Sequence, residues 1–192
     1  MSTLIHSHTL HTIEPVLVTT YAAPPTSISL STELRVAFKT TVSAQYLTHL
    51  DLSQADITLQ QAWNFAAQET LKQASTVAGV EFFIRKAQCL PDFPKRCPGL
   101  EIGLRKGDIT NWLTHPQIFQ ILNEHLQSKL DAPVAYLLPE AGKLVAIPAN
   151  RSLKAAATWL AKQDAPVSKN ILQYSCGFPT PLNLAQSIRR SG

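Results

Sequence analysis

Alternating apolar and polar positions predict the first strands of the chain. Leu34, Val36 and Phe38 point to one side of an extended segment, whereas Arg35 points to the other. A period of two residues is typical of a strand with one buried face. A short apolar run at 16–18 predicts another strand, which ends before the Pro-Pro pair that follows it.

Three later segments change to the helical period of 3.6 residues, and each follows a capping residue. Thr58 and Gln61 form a T-x-x-Q capping box, in which each side chain satisfies a backbone donor at the start of the helix. Thr114 and Gln117 repeat this spacing, and Asn150 precedes the third segment. The apolar residues that repeat behind these caps are Leu59, Trp63, Ala66, Ala67, Leu71 and Ala74, then Ile118, Ile121, Leu122, Leu126 and Leu130, then Leu153, Ala156, Ala157 and Leu160.

Segments 80–86 and 99–105 predict an antiparallel pair of strands that is joined by a proline-rich loop. One register matches both the apolar and the charged positions, and in it the paired residue numbers sum to 186. Each opposite-charge pair on the outer face would contribute about 0.2–1 kcal/mol. The pairs in this register are Ile84 with Ile102, Phe82 with Leu104, Arg85 with Glu101, Glu81 with Arg105, and Cys89 with Cys97.

The remaining apolar runs predict the centre and the end of a sheet. Segments 134–138 and 143–147 are apolar at consecutive positions, so they predict a hairpin that is buried on both faces in the middle of the sheet. Segment 171–176 predicts a last strand, and the chain from Pro179 onward is predicted to be a tail. The fold class is therefore α+β: an antiparallel-rich sheet of about six strands with about three helices packed mainly on one face.

Length and composition add the domain boundaries. The chain has 192 residues, and 45 % of them are hydrophobic, which is enough for one domain with a real core. We assign residues 14–192 to a single α+β domain and the polar residues 1–13 to a flexible N-terminal arm. The start of the chain does not resemble a signal peptide, and no apolar run is long enough to span a bilayer. The sequence therefore predicts a cytoplasmic protein that makes no membrane contact.

Basic charge is concentrated in one segment. Six basic and two acidic residues lie within 85–106, which by itself accounts for the formal net charge of +4. Such a segment can bind a polyanion, or it can be a solvated hairpin. In the proposed register the acidic residues neutralise two of the cations, and Phe93 is the only aromatic residue in the loop that could stack on a base. The sequence therefore predicts that nucleic acid is not the partner.

Two of the three cysteines flank this proline-rich loop. Lys95 and Arg96 lie beside Cys97, and neighbouring cations favour the thiolate form of a cysteine. Cys89 and Cys97 are therefore candidates for a reactive or redox pair. The alternative is that they are two small side chains at the neck of a hairpin.

Cys176 is the third candidate for thiol chemistry. A catalytic thiol needs a histidine close to it in space, and His115 and His125 lie elsewhere in the chain. The strand pattern instead places Cys176 on one face with Leu172 and Tyr174, which indicates a buried structural cysteine.

The only histidine cluster lies in the N-terminal arm. His6, His8 and His11 could share a metal ion, because imidazole nitrogen binds zinc, copper and nickel. No acidic or cysteine ligand stands beside them, so the alternative is a solvated arm without a physiological metal. We predict no cofactor.

Part of the chain resembles the YtpQ-like family of uncharacterised bacterial proteins. The resemblance follows a pattern of apolar strand, proline, Arg-x-Leu and helix, with Ser152 standing where the family has an acidic residue. It implies no known activity. The segments that carry it are 144–153, 165–168, 171–174 and Gly177, with 58–71 similar to a helix of that family.

These observations favour a binding function over catalysis. The leading hypothesis is a non-enzymatic binding or protein-interaction module for an unknown protein or small-molecule ligand, with a homodimer as one open arrangement. The alternative is a cysteine-dependent enzyme or redox protein that uses Cys89 and Cys97, or Cys176. A thiol with a depressed pKa would favour the second hypothesis.

Overall fold

Two main antiparallel sheets and four helices form the structure in residues 13–40 and 45–183, the parts of the chain that the computed structural model describes. The strands are β1 (Ile13–Thr19), β2 (Ser27–Ser29), β3 (Leu34–Thr40), β4 (Ser75–Thr76), β5 (Gly79–Val80), β6 (Phe83–Lys86), β7 (Leu100–Gly103), β8 (Val134–Glu140), β9 (Lys143–Pro148), β10 (Leu172–Ser175) and β11 (Phe178–Pro181). The helices are α1 (His49–Gln54), α2 (Leu59–Ala74), α3 (Pro116–Leu130) and α4 (Leu153–Leu160).

The larger sheet has six antiparallel strands in the order β11-β10-β8-β9-β7-β6. The hairpin β8–β9 lies at its centre and is buried along almost its whole length, as its consecutive apolar residues predict. The smaller sheet has the order β1-β3-β2, and β4 pairs only with β5. The α+β prediction is confirmed.

The β6–β7 register is also confirmed. Ile84 pairs with Ile102 and Arg85 with Glu101, so the numbers sum to 186 as the sequence requires. The ladder ends at Lys86, because Ala87–Cys89 turns into a short 3-10 helix. The chain therefore leaves the extended conformation before Cys89, and the predicted pairing of Cys89 with Cys97 is wrong.

Two of the helices begin at capping boxes. Thr58 and Gln61 cap α2 as predicted, because each side chain bonds to the backbone N–H of the other residue. Thr48 and Asp51 form an equivalent box at the start of α1, a short helix that the sequence analysis missed.

The predicted caps of α3 and α4 are wrong. His115 caps α3, since its Nδ1 atom accepts a hydrogen bond from the backbone N–H of Gln117, whereas the Thr114 hydroxyl donates to the Asn111 carbonyl. Helix α4 begins after Ser152, which has a left-handed backbone and makes no side-chain cap. The predicted cap Asn150 lies two residues too early.

Each face of the large sheet carries its own core. On the first face, α1, α2, α3 and the small sheet pack together, with Trp63, Phe38 and Leu122 among the buried residues. On the second face, α4 and the loop that begins at Ala87 cover the central hairpin through Trp159 and Phe93. The helices thus lie mainly on one face, and α4 lies on the other.

The end of the chain adds a strand where the sequence analysis predicts a tail. Phe178–Pro181 forms β11, which pairs with β10 through the two-residue turn Cys176-Gly177. Both turn residues have positive φ, 49° at Cys176 and 91° at Gly177, as a tight type I′ hairpin requires. Strand β10 therefore ends at Ser175, one residue earlier than predicted.

Residues 1–12 of the predicted arm lie outside the described residues, whereas Ile13 is buried in β1. Within the described parts of the chain, no helix has the length and apolar character needed to cross a membrane.

Candidate functional site

Strand β6 forms one edge of the large sheet, and its outer backbone groups are available for bonding. The Ala87 N–H donates to the Gly99 carbonyl at 3.0 Å, so residues 87 and 99 form a hydrogen-bonded pair. Hydrogen-bonded pairs alternate with non-hydrogen-bonded pairs along an antiparallel ladder, and the backbone groups of the non-hydrogen-bonded residues point away from the partner strand. The N–H and C=O groups of Ile84 and the N–H of Lys86 therefore point away from β7, toward the outside of the sheet, whereas the Lys86 carbonyl serves the 3-10 turn that follows.

The opposite edge of the same sheet is blocked. The Leu182 N–H donates to the Ile171 carbonyl at 2.8 Å, which fixes the hydrogen-bonded pairs between β10 and β11. By the same alternation, Pro179 and Pro181 take the outward positions of β11. Proline has no N–H to offer and is a common protection of edge strands. The two edges thus differ: β6 can accept another strand and β11 resists one.

The open face beside β6 exposes a large apolar side chain. Phe83 is 57 % exposed, although it lies opposite Gly103 in a paired region. A Cβ atom at position 103 would meet only the Cβ of Phe83, at 4.0 Å, so space remains next to the phenyl ring. A surface groove of about 320 Å³ lies here and is lined by Phe83, Ile84, Arg85, Glu101, Ile102 and Gly103.

The ion pair between Arg85 and Glu101 also lines this groove. The guanidinium donates twice to the carboxylate, with Nη2 to Oε1 at 2.9 Å. Glu101 pairs in turn with Val145 of the second core. The groove therefore lies on the second face of the sheet, where Phe83 and Arg85 are exposed.

A cavity beside β1 and α2 is a poorer candidate. It has a volume of about 50 Å³ and includes Glu14, Glu69 and Asp108 in its lining. Ligand sites usually have about 300–1,000 Å³, so this cavity suits a few water molecules rather than a ligand.

The second predicted charge pair across β6 and β7 does not form. Among the described residues, no ion pair joins Glu81 to Arg105. Glu81 lies before the first ladder residue of β6, and its carboxylate accepts a hydrogen bond from the Thr76 hydroxyl at 3.1 Å. Arg105 consequently remains exposed at the end of β7.

Cys89 and Cys97 are separate free thiols with different surroundings. Cys89 is exposed in the 3-10 turn, whereas Cys97 is buried in the second core. Burial raises the pKa of the Cys97 thiol, and a hydrogen bond from Ser152 opposes this only in part. The expectation that Lys95 and Arg96 favour a Cys97 thiolate is therefore wrong, because the charged loop surface and the buried thiol lie in different environments.

Cys176 is exposed rather than buried, because it occupies the first position of the β10–β11 turn. Its neighbour Gly177 lies against Pro116, the residue that follows His115. The ring of His115 is already committed: Nδ1 accepts from the Gln117 N–H, and Nε2 lies 3.3 Å from Asn64 Oδ1. His115 is thus a capping residue and has no nitrogen free to act as a base for a thiol.

The candidate metal ligands His6, His8 and His11 lie outside the described residues. Within the described ranges, no three His, Cys, Asp or Glu side chains come together as a metal site would require.

Two partly or fully buried histidines make the stability dependent on pH. Burial lowers the pKa of His115 and of His125 below the ordinary value of 6.5, and Lys129 lowers the pKa of His125 further. The unfolded chain therefore takes up protons first as the pH falls below about 6.5. We expect the urea midpoint to fall between about pH 7 and pH 5.

A substitution of His125 tests whether the buried histidines cause this pH dependence. The Nε2 atom of His125 is buried without a hydrogen-bond partner and its ring packs on Phe82, so a phenyl ring can replace it without the loss of a hydrogen bond at Nε2. We expect His125→Phe to reduce the loss of stability on acidification. His49→Gln, at an exposed position in α1, should keep the wild-type pH profile. An unchanged profile for His125→Phe would contradict this account.

Sequence reasoning missed the role of Phe83 and Gly103, which face each other at the groove. Phe82 and Phe83 are consecutive in a strand, so their side chains must lie on opposite faces, and Phe82 packs against Trp112 in the first core. The proposed register already placed Phe83 opposite Gly103. Together, these two facts could have located an aromatic side chain with an empty position beside it.

No protein-family model, curated protein or solved structure matches the chain. The resemblance to the YtpQ-like family therefore stays a prediction.

Proposed function

We propose that this protein is a protein-interaction module that binds an extended polypeptide segment along β6. The bound segment becomes a seventh strand of the large sheet, because it bonds to the outward N–H and C=O groups of Ile84 and to the N–H of Lys86. Main-chain bonds of this kind supply affinity, and neighbouring side-chain pockets supply specificity.

One observation carries the proposal: β6 is an edge strand with outward backbone donors and an exposed aromatic side chain beside an open groove. Exposed edges are usually blocked, as β11 is by Pro179 and Pro181. Phe83 gives the ligand an apolar anchor, and buried aromatic residues dominate the energetics of many interfaces.

Lys86→Pro tests the backbone contact directly. Lys86 has a φ of −64°, which the proline ring accepts, and its N–H does not face β7, so the substitution preserves the sheet. We expect peptides selected from a random linear library on the wild-type protein to bind Lys86→Pro at least about tenfold more weakly, a change of about 1.4 kcal/mol.

Lys86→Ala is the matched control, because it removes the same charge and keeps the N–H. We expect it to bind the selected peptides much more tightly than Lys86→Pro does. Phe83→Ala should also weaken binding, since it removes the apolar anchor. Equal affinity for Lys86→Pro and Lys86→Ala would contradict strand addition at β6.

A further inference from the structure

Three exposed cations stand at the two ends of β6. Lys86 is the last residue of β6. Gly103, the last residue of β7, pairs with Phe83, the first residue of β6. Arg105 and Lys106, which follow Gly103 in the chain, therefore lie near the start of β6. Arg85 is different, because its guanidinium is already held by Glu101. The edge therefore presents positive charge at both ends and an apolar groove between them.

Among the described residues, none of these three cations forms an ion pair. In the described parts of the chain, the ion pairs are Lys72 with Glu69, Arg85 with Glu101, and Lys143 with Glu140. The nearest predicted partner, Glu81, accepts from Thr76 instead. Unneutralised charges at a binding edge favour a partner of opposite sign and disfavour one of the same sign.

We propose that the segment bound at β6 is acidic, with Asp or Glu near both of its ends and an apolar or aromatic residue at its centre. This inference rests on the proposed function and names its ligand class. The central side chain lies beside Phe83 in the space that Gly103 leaves open. A segment of about seven residues, at about 3.3 Å per residue, extends past both ends of the four-residue strand.

A second copy of the chain fits this edge less well. A two-fold pairing of β6 with itself would bring the cations at one end of each strand toward those at the other end of its mate. With a formal net charge of +4, two copies also repel each other at low salt. The charge pattern therefore favours a different, acidic partner.

The test uses two synthetic peptides and the whole chain. The acidic peptide is Asp-Glu-Val-Phe-Val-Glu-Asp with blocked termini, and the control replaces every Asp and Glu by Asn and Gln. We expect the acidic peptide to bind at least about tenfold tighter at about 50 mM salt, and this preference to shrink at about 500 mM salt, where charges are screened within a few Å. Arg105→Glu combined with Lys106→Glu should remove most of the preference.

The outcomes separate this inference from the function on which it rests. If both peptides bind equally and Lys86→Pro weakens both, strand addition stands and the acidic preference is wrong. If neither peptide distinguishes Lys86→Pro from Lys86→Ala, both proposals fail. Sedimentation that shows a dimer dissolved by Lys86→Pro would assign the edge to a second copy instead. Competition by duplex DNA at lower concentration than the acidic peptide would assign the cations to nucleic acid. Either result overturns the inference.

Discussion

Gly177→Ala is expected to lower the free energy of unfolding by about 2–5 kcal/mol. Gly177 has a φ of +91°, which costs an alanine side chain conformational strain. In addition, a Cβ atom at this position would lie 2.6 Å from the Cβ and 3.0 Å from the Cα of Pro116. Pro116 is the first residue of α3, so relief of the clash requires the hairpin β10–β11 to move away from that helix.

Gly79→Ala separates the two causes. Gly79 also has a positive φ, +115°, but nothing lies within 4 Å of the point that a Cβ atom would occupy there. We expect Gly79→Ala to cost only about 1–2 kcal/mol, the conformational strain alone. Urea denaturation followed by circular dichroism measures both variants. Equal losses would show that the approach of Gly177 to Pro116 does not matter for stability.

Trp159→Ala is expected to cost about 3–5 kcal/mol, as for other buried tryptophans. Trp159 lies under the proline-rich loop, where its ring packs against Phe93 at 5.0 Å and its Nε1–H donates to the Pro91 carbonyl at 3.0 Å. The indole thus holds the loop to α4 on the second face of the sheet. Its removal leaves a cavity and frees the loop.

The same variant should expose the buried thiol. Cys97 lies in the core that Trp159 closes and is 1 % exposed, so alkylation by iodoacetamide requires local opening. We expect Trp159→Ala to raise the alkylation rate of Cys97 by at least about tenfold, since an opening energy lower by about 1.4 kcal/mol has this effect. The exposed Cys89 is an internal reference, and Trp159→Phe, which keeps an aromatic ring, should have a smaller effect. An unchanged rate at Cys97 would show that the indole does not hold the loop closed.

The parts of the fold that were predicted correctly rest either on two patterns that agree or on one local pattern. The β6–β7 register rests on the apolar pair Ile84–Ile102 together with the charged pair Arg85–Glu101, and a shifted register would lose both. The α2 cap is local, so Thr58 and Gln61 suffice to predict it. The cap of α3 could not be assigned in this way, because the Thr114 hydroxyl donates to the Asn111 carbonyl in the preceding turn and leaves the capping position to His115.

The missed elements depend on long-range context. Prolines at 179 and 181 are typical of a tail, and they are compatible with β11 only because their positions face away from β10. The exposure of Cys176 follows from the same hairpin. Because no local pattern indicates that a strand follows the turn, the sequence predicts a buried position for Cys176 on a longer β10.

Of the candidate site, the sequence predicted only the pairing of its two strands. The sequence placed β6 beside β7, but the strand order of the whole sheet depends on long-range pairing, so the sequence could not show that β7 also pairs with β9 whereas β6 has no second neighbour. It also could not show where the cover of α4 ends. For this reason the sequence analysis placed Phe82 on the apolar face but did not identify Phe83 as an exposed aromatic residue beside a groove.

The position of the hairpin β8–β9 has a consequence for folding kinetics. Its strands are adjacent in the chain and central in the sheet, so they can pair by closing a short loop, whereas β7 and β10 must close longer loops to join them. Amide hydrogens in this hairpin should exchange most slowly, and those of β6, which is held by one neighbour, should exchange sooner. A peptide that adds to β6 would then give this strand a second neighbour and slow its exchange, so binding would be visible as protection that starts at the rim of the sheet.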